Sequence, residues 1–183
     1  MNRFNPTPYY KIITVLMVFL LFTLTFSSCT GIRTIQPSEF KSIDQNFKGT
    51  FTNKVCKFNG VTAKDNALQL FEVKQISDEK FKIGFDSIGR LKISSVSGEW
   101  STEFGGKFKR GFYQVYLRKK RIEIPPGFPI IYSDVDVYRL RIAYHPYGYL
   151  LIENKYFRGK SIFFLGGGKG QRNVYYFSHD KCD

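Results

Sequence analysis

From residue 80 onward apolar and polar side chains alternate almost without a break, and a period of two leaves few folds open. In KFKIGFD (80–86) Phe81, Ile83 and Phe85 share one face, and Lys80, Lys82 and Asp86 the other. RLKIS (90–94) repeats this with Leu91 and Ile93 against Arg90, Lys92 and Ser94. Successive side chains of a strand point to opposite faces, so the pattern specifies half-buried strands. Residues 87–89 read as a hairpin turn, because Gly89 can adopt the positive φ of a tight reversal. Further strands are expected at 106–118, 120–124, 129–143, 147–153, 160–165 and 172–178, separated by turn formers that include PPGFP, HPYG, NKYFRG and GGGKG. Around Val137 and Tyr138 the apolar parity changes, from Val135 and Val137 to Tyr138, Leu140 and Ile142, which predicts a β-bulge there.

Upstream, Phe47, Phe51 and Val55 alternate with Lys48, Lys54 and an outward Cys56, so a first strand is expected here. Phe40, Ile43 and Phe47 recur at helical spacing and predict a short helical turn under the domain. Thr62 and Asp65 look like a capping pair for a brief helix with Ala67, Leu68 and Phe71 on one face. No helical crossover of about 10 to 15 residues separates the strands, which excludes a parallel β-α-β fold. The expected architecture is all-β: an antiparallel up-and-down meander that closes into a small barrel and so hides its edges. A two-sheet β-sandwich is the alternative.

The amino terminus follows different rules. Arg3 and Lys11 supply positive charge, residues 12–26 are apolar apart from three threonines, and Ser27 and Ser28 lead into Cys29. This order is that of a secretory signal, and its apolar part is short of the roughly 20 residues that span a bilayer. TFSSC resembles the lipobox of bacterial lipoproteins, although Phe26 stands where Leu is usual. The resemblance implies cleavage before Cys29, a thioether-linked diacylglycerol on its sulfur and a further acyl chain on its freed amine. At about 0.8 kcal/mol per buried methylene, several chains make a lasting anchor. The expected organisation is therefore a signal peptide at 1–28, a lipid-anchored tether with a short helical turn at 29–46, and a β-domain at 47–183. Thr30 is not the aspartate of inner-membrane retention, and no acidic surface-export tag follows Cys29. The outer membrane, facing the periplasm, is the expected address.

Cleavage would remove two of 28 basic residues and no acidic one, leaving 26 against 15 on a mature chain of 155 residues, enough for one core. Such a surface favours anionic envelope partners; nucleic acid is not expected. Assigning Cys29 to lipid leaves Cys56 and Cys182 as a candidate disulfide in an oxidising compartment.

Chemistry-bearing patterns are sparse. His145 and His179 lie far apart without the close spacings of a metal site, so no metal is expected. Ser38 to Lys41 and Ser77 to Lys80 match S-x-x-K without its companion motifs. Gly166, Gly167, Gly168, Lys169 and Gly170 lack the spacing of a phosphate-binding loop and read as a hairpin. Asp134 and Asp136 share one face of a strand with Glu123 nearby in sequence, a pattern that fits a surface ladder as well as a carboxylate pair. Neither a cofactor nor catalysis is expected. The stretch from Lys107 to Arg121 holds seven basic residues, interleaved with aromatics and free of acid.

The order Gly49, Thr50, Phe51, a short helical excursion and a meander ending near Phe177 resembles the lipocalin-like barrels, which place tryptophan where Phe51 stands. The resemblance covers most of residues 47–178. It implies a cup for a small apolar ligand, with first and last strands adjacent and Cys182 within reach of Cys56. On that reading interior Phe81, Phe85 and Phe164 contact a small amphipathic or anionic ligand, and Lys107, Lys109 and Arg110 meet its phosphate or carboxylate. The other reading is an interaction lipoprotein that docks on an envelope protein or glycan through a basic surface. For either, metabolic labelling with a palmitate analogue should mark the wild-type chain and leave Cys29→Ser unlabelled.

Overall fold

The structure is a computed structural model that describes residues 13, 15–17, 40–59, 66–74, 78–127, 131–163 and 165–180. The expected lipidation at Cys29, the capping pair Thr62 and Asp65, Phe164 and Cys182 lie outside the described residues. Two compact units divide the chain, Met1–Thr34 and Ile35–Asp183. In the first, residues 13 and 15–17 are helical and exposed. Among the described residues no helix is long and apolar enough to cross a membrane.

The second unit is antiparallel β, as the alternation predicts. Its strands are β1 (Gly49–Thr52), β2 (Lys57–Asn59), β3 (Lys80–Phe85), β4 (Leu91–Ser95), β5 (Ser101–Phe104), β6 (Gly106–Lys109), β7 (Phe112–Ile124), β8 (Tyr132–Tyr144), β9 (Leu150–Ile162) and β10 (Leu165–Phe177). They form a smaller sheet in the order β1-β3-β4-β5 and a larger one in the order β2-β10-β9-β8-β7-β6. The barrel does not close, and the two-sheet alternative describes the arrangement. Gly105 alone separates β5 from β6, and residues 53–56 separate β1 from β2, so the chain passes from one sheet to the other at these two corners. First and last strands are nevertheless neighbours: Thr52 N–H donates to the Ser178 carbonyl at 2.8 Å, and Cys56 N–H to that of Tyr176 at 2.9 Å. Cys56 is disulfide-bonded and half-buried rather than turned outward.

The core lies between the sheets. Phe51, Phe81, Ile83, Leu91 and Ile93 meet Tyr113, Val115, Leu140, Ile142, Ile152, Tyr175 and Phe177, all almost fully enclosed. A short helix, α1 (Ala67–Leu70), closes one side, capped by the Asn66 side chain, which accepts from Gln69 N–H at 2.9 Å. Its residues Ala67, Leu68 and Leu70 are buried, as is Phe71 just beyond it. Residues 40–47 pack on the body as expected but not as a helix: Lys41 bridges Tyr144, Phe40 stacks 4.1 Å from Phe112, and Ile43 is buried.

Three local expectations are corrected. Strand 106–118 is instead a hairpin, because Arg110 (φ 53°) and Gly111 (φ 82°) form a two-residue reversal between β6 and β7. The bulge lies in β7, at Leu117 between Tyr116 and Arg118, and β8 runs straight with Val135 and Val137 on the face away from the core. The glycine run at 166–170 and the NKYFRG segment are not turns; they pair within β10 and β9. Here Gly168 faces Gly159, and the Phe157 ring lies 3.0 to 3.2 Å from where Cβ atoms on Gly159, Gly168 and Gly170 would stand. An aromatic ring thus covers a backbone strip that only glycine leaves open.

Phe81 is fully enclosed between Phe51 and Phe177, with ring centroids at 6.3 and 6.4 Å. Phe81→Ala should therefore cost about 3 to 5 kcal/mol of stability in urea unfolding, as a core cavity does. A loss well below that range would show that the ring is not part of the packed core.

Candidate functional site

The strands of the larger sheet outrun the cover supplied by the smaller one. β7 to β10 have 13 residues each, whereas β1, β3, β4 and β5 have 4 to 6. The core between the sheets ends at the row of Leu117, Tyr138 and Tyr156. Tyr138 donates to the Leu70 carbonyl at 2.9 Å and accepts from Asn154 at 3.1 Å. Burial pushes its hydroxyl pKa well up. Arg118 lies 5.2 Å from the Tyr138 ring and pairs with Glu72 at 3.1 Å, closing the edge of the core.

Beyond that row residues 118–124, 132–137, 157–162 and 165–171 continue as a four-stranded blade, about 20 Å from Tyr138 to its end at roughly 3.3 Å per residue. The register builds it in bands. Lys120, Asp136, Arg158 and Lys169 are neighbours in one row; two residues on, Ile122, Asp134, Lys160 and Gly167 form the next; at the tip stand Ile124, Tyr132, Ile162 and Leu165. All three rows share a face, because they are two residues apart. Exposure rises toward the end, with Ile124 at 48 %, Ile162 at 57 % and Leu165 at 80 %. The adjoining turns add Ile131 and Phe163, also exposed, and their sequences PPGFPII and FF contain no charge. Turns that face water normally carry polar residues, whereas Ile131 and Phe163, joined by a hydrogen bond from Phe163 N–H to the Ile131 carbonyl at 3.0 Å, are apolar and exposed.

Behind the tip the charge is positive: Arg118, Lys119, Lys120, Arg121, Arg158, Lys160 and Lys169 against Glu123, Asp134 and Asp136. Asp134 binds Lys120 at 2.7 Å and lies 3.9 Å from Lys160. The hydrogen bond from Lys120 holds the Asp134 carboxyl below the ordinary carboxylate range and raises the Lys120 ammonium. Asp134 and Asp136 do share a face, yet Asp134 serves as counterion to two lysines. Both edges of the blade are open among the described residues, since β6 pairs only with Phe112 to Val115 and β2 only with Val174 to Tyr176.

On the opposite face, where blade and body join, Glu153 is the common partner of three arginines. Arg172 reaches it at 2.6 Å, Arg139 at 3.4 Å and Arg141 at 3.7 Å, with Glu153 only 1 % exposed. Burial, and then the neighbouring Arg139, draw the Arg141 guanidinium below its usual pKa. Sequence reasoning missed this cluster, because Glu153 and Arg172 meet only through the β9–β10 register. The apolar tip did have a signal, apolar residues within turns, but PPGFP reads equally well as a plain spacer.

The structure separates the residues expected to form a ligand cup. Phe81 is core and has no surface to offer a ligand. Phe85 is half-buried against Tyr113 at 4.7 Å and Phe108 at 5.0 Å. Lys107, Lys109 and Arg110 occupy an exposed hairpin that Phe108 joins to Phe85. A different set of lysines, Lys48, Lys82 and Lys92, lines an open concavity of about 480 Å³ on the outer side of the smaller sheet, with Thr50, Ser94 and Phe85. His179 stacks 4.2 Å from Phe51 and contacts the Thr50 carbonyl, while His145 caps a turn at Tyr147. Among the described residues no group of three or more His, Cys, Asp or Glu is placed to hold a metal.

No protein-family model matches the chain, and neither a curated protein nor a solved structure matches it significantly.

Replacing Glu153 by Gln leaves three guanidiniums without their shared counter-charge. The expected loss is about 3 to 5 kcal/mol in urea unfolding. Part of it should return in the Glu153→Gln/Arg172→Met double variant, which removes one of the stranded cations.

Proposed function

We propose that the chain is a lipid-tethered envelope protein that acts by binding rather than catalysis, and that it docks through the apolar-tipped blade of the larger sheet. The signal-like amino terminus and the lipobox at Cys29 support the tether and an outer-membrane address. The observation that carries docking is the tip row of Ile124, Tyr132, Ile162 and Leu165, exposed at its three aliphatic members, with the uncharged turns beside it. Exposed apolar area of this kind is costly in water and gains by contact, and the basic band behind it selects an anionic partner. The buried state of Phe81 and the core filled around it favour this reading over a ligand held between the sheets.

A second reading rests on the lysine-lined concavity. Three ammonium groups around about 480 Å³ suit a small anionic ligand at the surface of the smaller sheet, in a space of the size that such ligands occupy.

A photo-crosslinking residue placed at Leu165 in intact cells tests docking by the blade. Adducts are expected at Leu165 and not at Ile88, which is similarly exposed on the β3–β4 turn. No adduct of any kind at Leu165 would refute a docking role for the blade.

A further inference from the structure

The blade's bands resemble the layers of a lipid surface in order and in spacing. Its last row is uncharged, as are Ile131 and Phe163 beside it; the next row, about 7 Å behind, holds Ile122, Asp134 and Lys160; and the row behind that carries Lys120, Arg158 and Lys169 with the single acid Asp136. An element lying in a bilayer boundary buries its apolar part by roughly 5 to 10 Å, with cations at headgroup level. Here the depth of the uncharged tip and the position of the basic band meet both conditions at once.

We infer that the tip of the blade inserts into the interface of an anionic phospholipid bilayer, with Ile124, Ile162, Phe163 and Leu165 among the acyl chains and Lys120, Arg158, Lys160 and Lys169 at the phosphates. This rests on the docking role of the blade and names its partner. Charge complementarity decides between occupants. A second copy of the chain would bring seven basic and three acidic residues against the same set, so each blade would carry a net excess of four positive charges into a blade-to-blade contact. A phosphate surface instead attracts each cation that comes within about a Debye length.

The lipid surface would be a contact of the blade's own residues. Phe40 and Lys41 lie at the far end of the same sheet, where Lys41 bridges Tyr144 and Phe40 packs on Phe112. β8 has Tyr144 at that end and Tyr132 at the tip, about 40 Å apart at roughly 3.3 Å per residue.

The test uses the whole chain carrying Leu165→Trp with its native Trp100 changed to Phe, so that a single indole remains, reconstituted into vesicles whose phosphatidylcholine and phosphatidylglycerol are present in equal parts and bear brominated acyl chains. Indole emission from position 165 should be quenched there, and much less in vesicles of phosphatidylcholine alone. Arg158→Glu and Lys169→Glu should each weaken the contact about fivefold or more. Ile88→Trp in the same Trp100→Phe background, the matching control on the smaller sheet, should stay unquenched. Absence of quenching at position 165 overturns the bilayer assignment, as does equal quenching at 88 and 165. Two further results separate this inference from the reading beneath it. If photo-adducts at Leu165 are to protein or to a second copy and quenching is absent, docking stands and the bilayer assignment falls; if neither adducts nor quenching occur, both fall.

Discussion

Thirteen-residue strands cannot be covered by a sheet of four- to six-residue strands, and most of what is distinctive here follows from that mismatch. A packed core continues only while both faces contribute side chains. It runs from Phe177 and Leu150 at one end to Tyr138 and Tyr156 near the middle, and there the inward row changes from apolar to charged. Tyr138 marks the change: its ring is buried, its hydroxyl holds the Leu70 carbonyl, and Arg118 lies across the rings of Tyr138 and Tyr156. Past this point Lys120, Asp134 and Lys160 neutralise one another in part instead of packing. The polar residues on that face are therefore not a failed core, since they keep an uncovered face soluble up to the point where the tip becomes apolar again.

The join between body and blade is held by charge on the other face. Glu153 gathers Arg139 and Arg141 from β8 and Arg172 from β10, so three adjacent strands are tied at one carboxylate. In a low-dielectric position such a cluster is sensitive to the loss of any member, because the desolvation already incurred is no longer offset. It also makes β8, β9 and β10 act as a unit where the smaller sheet no longer supports them.

How far the sequence was legible depends on the range of the information each feature needs. β3, β4 and their turn were readable because alternation and Gly89 are local, and Ala67, Leu68 and Phe71 could be placed on a buried face for the same reason. Corners were not: whether a bent strand closes a ladder or passes between sheets depends on geometry at Gly105 and at residues 53–56 that no local pattern encodes. The glycine run misled because glycine is a turn former in isolation; only the position of Phe157 across the strand pair shows why Gly168 and Gly170 belong in β10. The same limit hid the Glu153 cluster, whose members come from three strands, and it made interior Phe81 look like a ligand contact when its neighbours had already enclosed it.

That glycine strip also bears on motion. Glycine gives up more backbone freedom on ordering than any other residue, and β10 carries Gly166, Gly167, Gly168 and Gly170 on an edge that, among the described residues, has no outer neighbour to hold it. Phe157 offsets part of this by lying over the strip, but it reaches only the portion next to Gly159. Local opening should thus begin where β9 turns into β10 and advance inward until it meets Arg172, giving the molecule a yielding end and a firm one along a single continuous sheet.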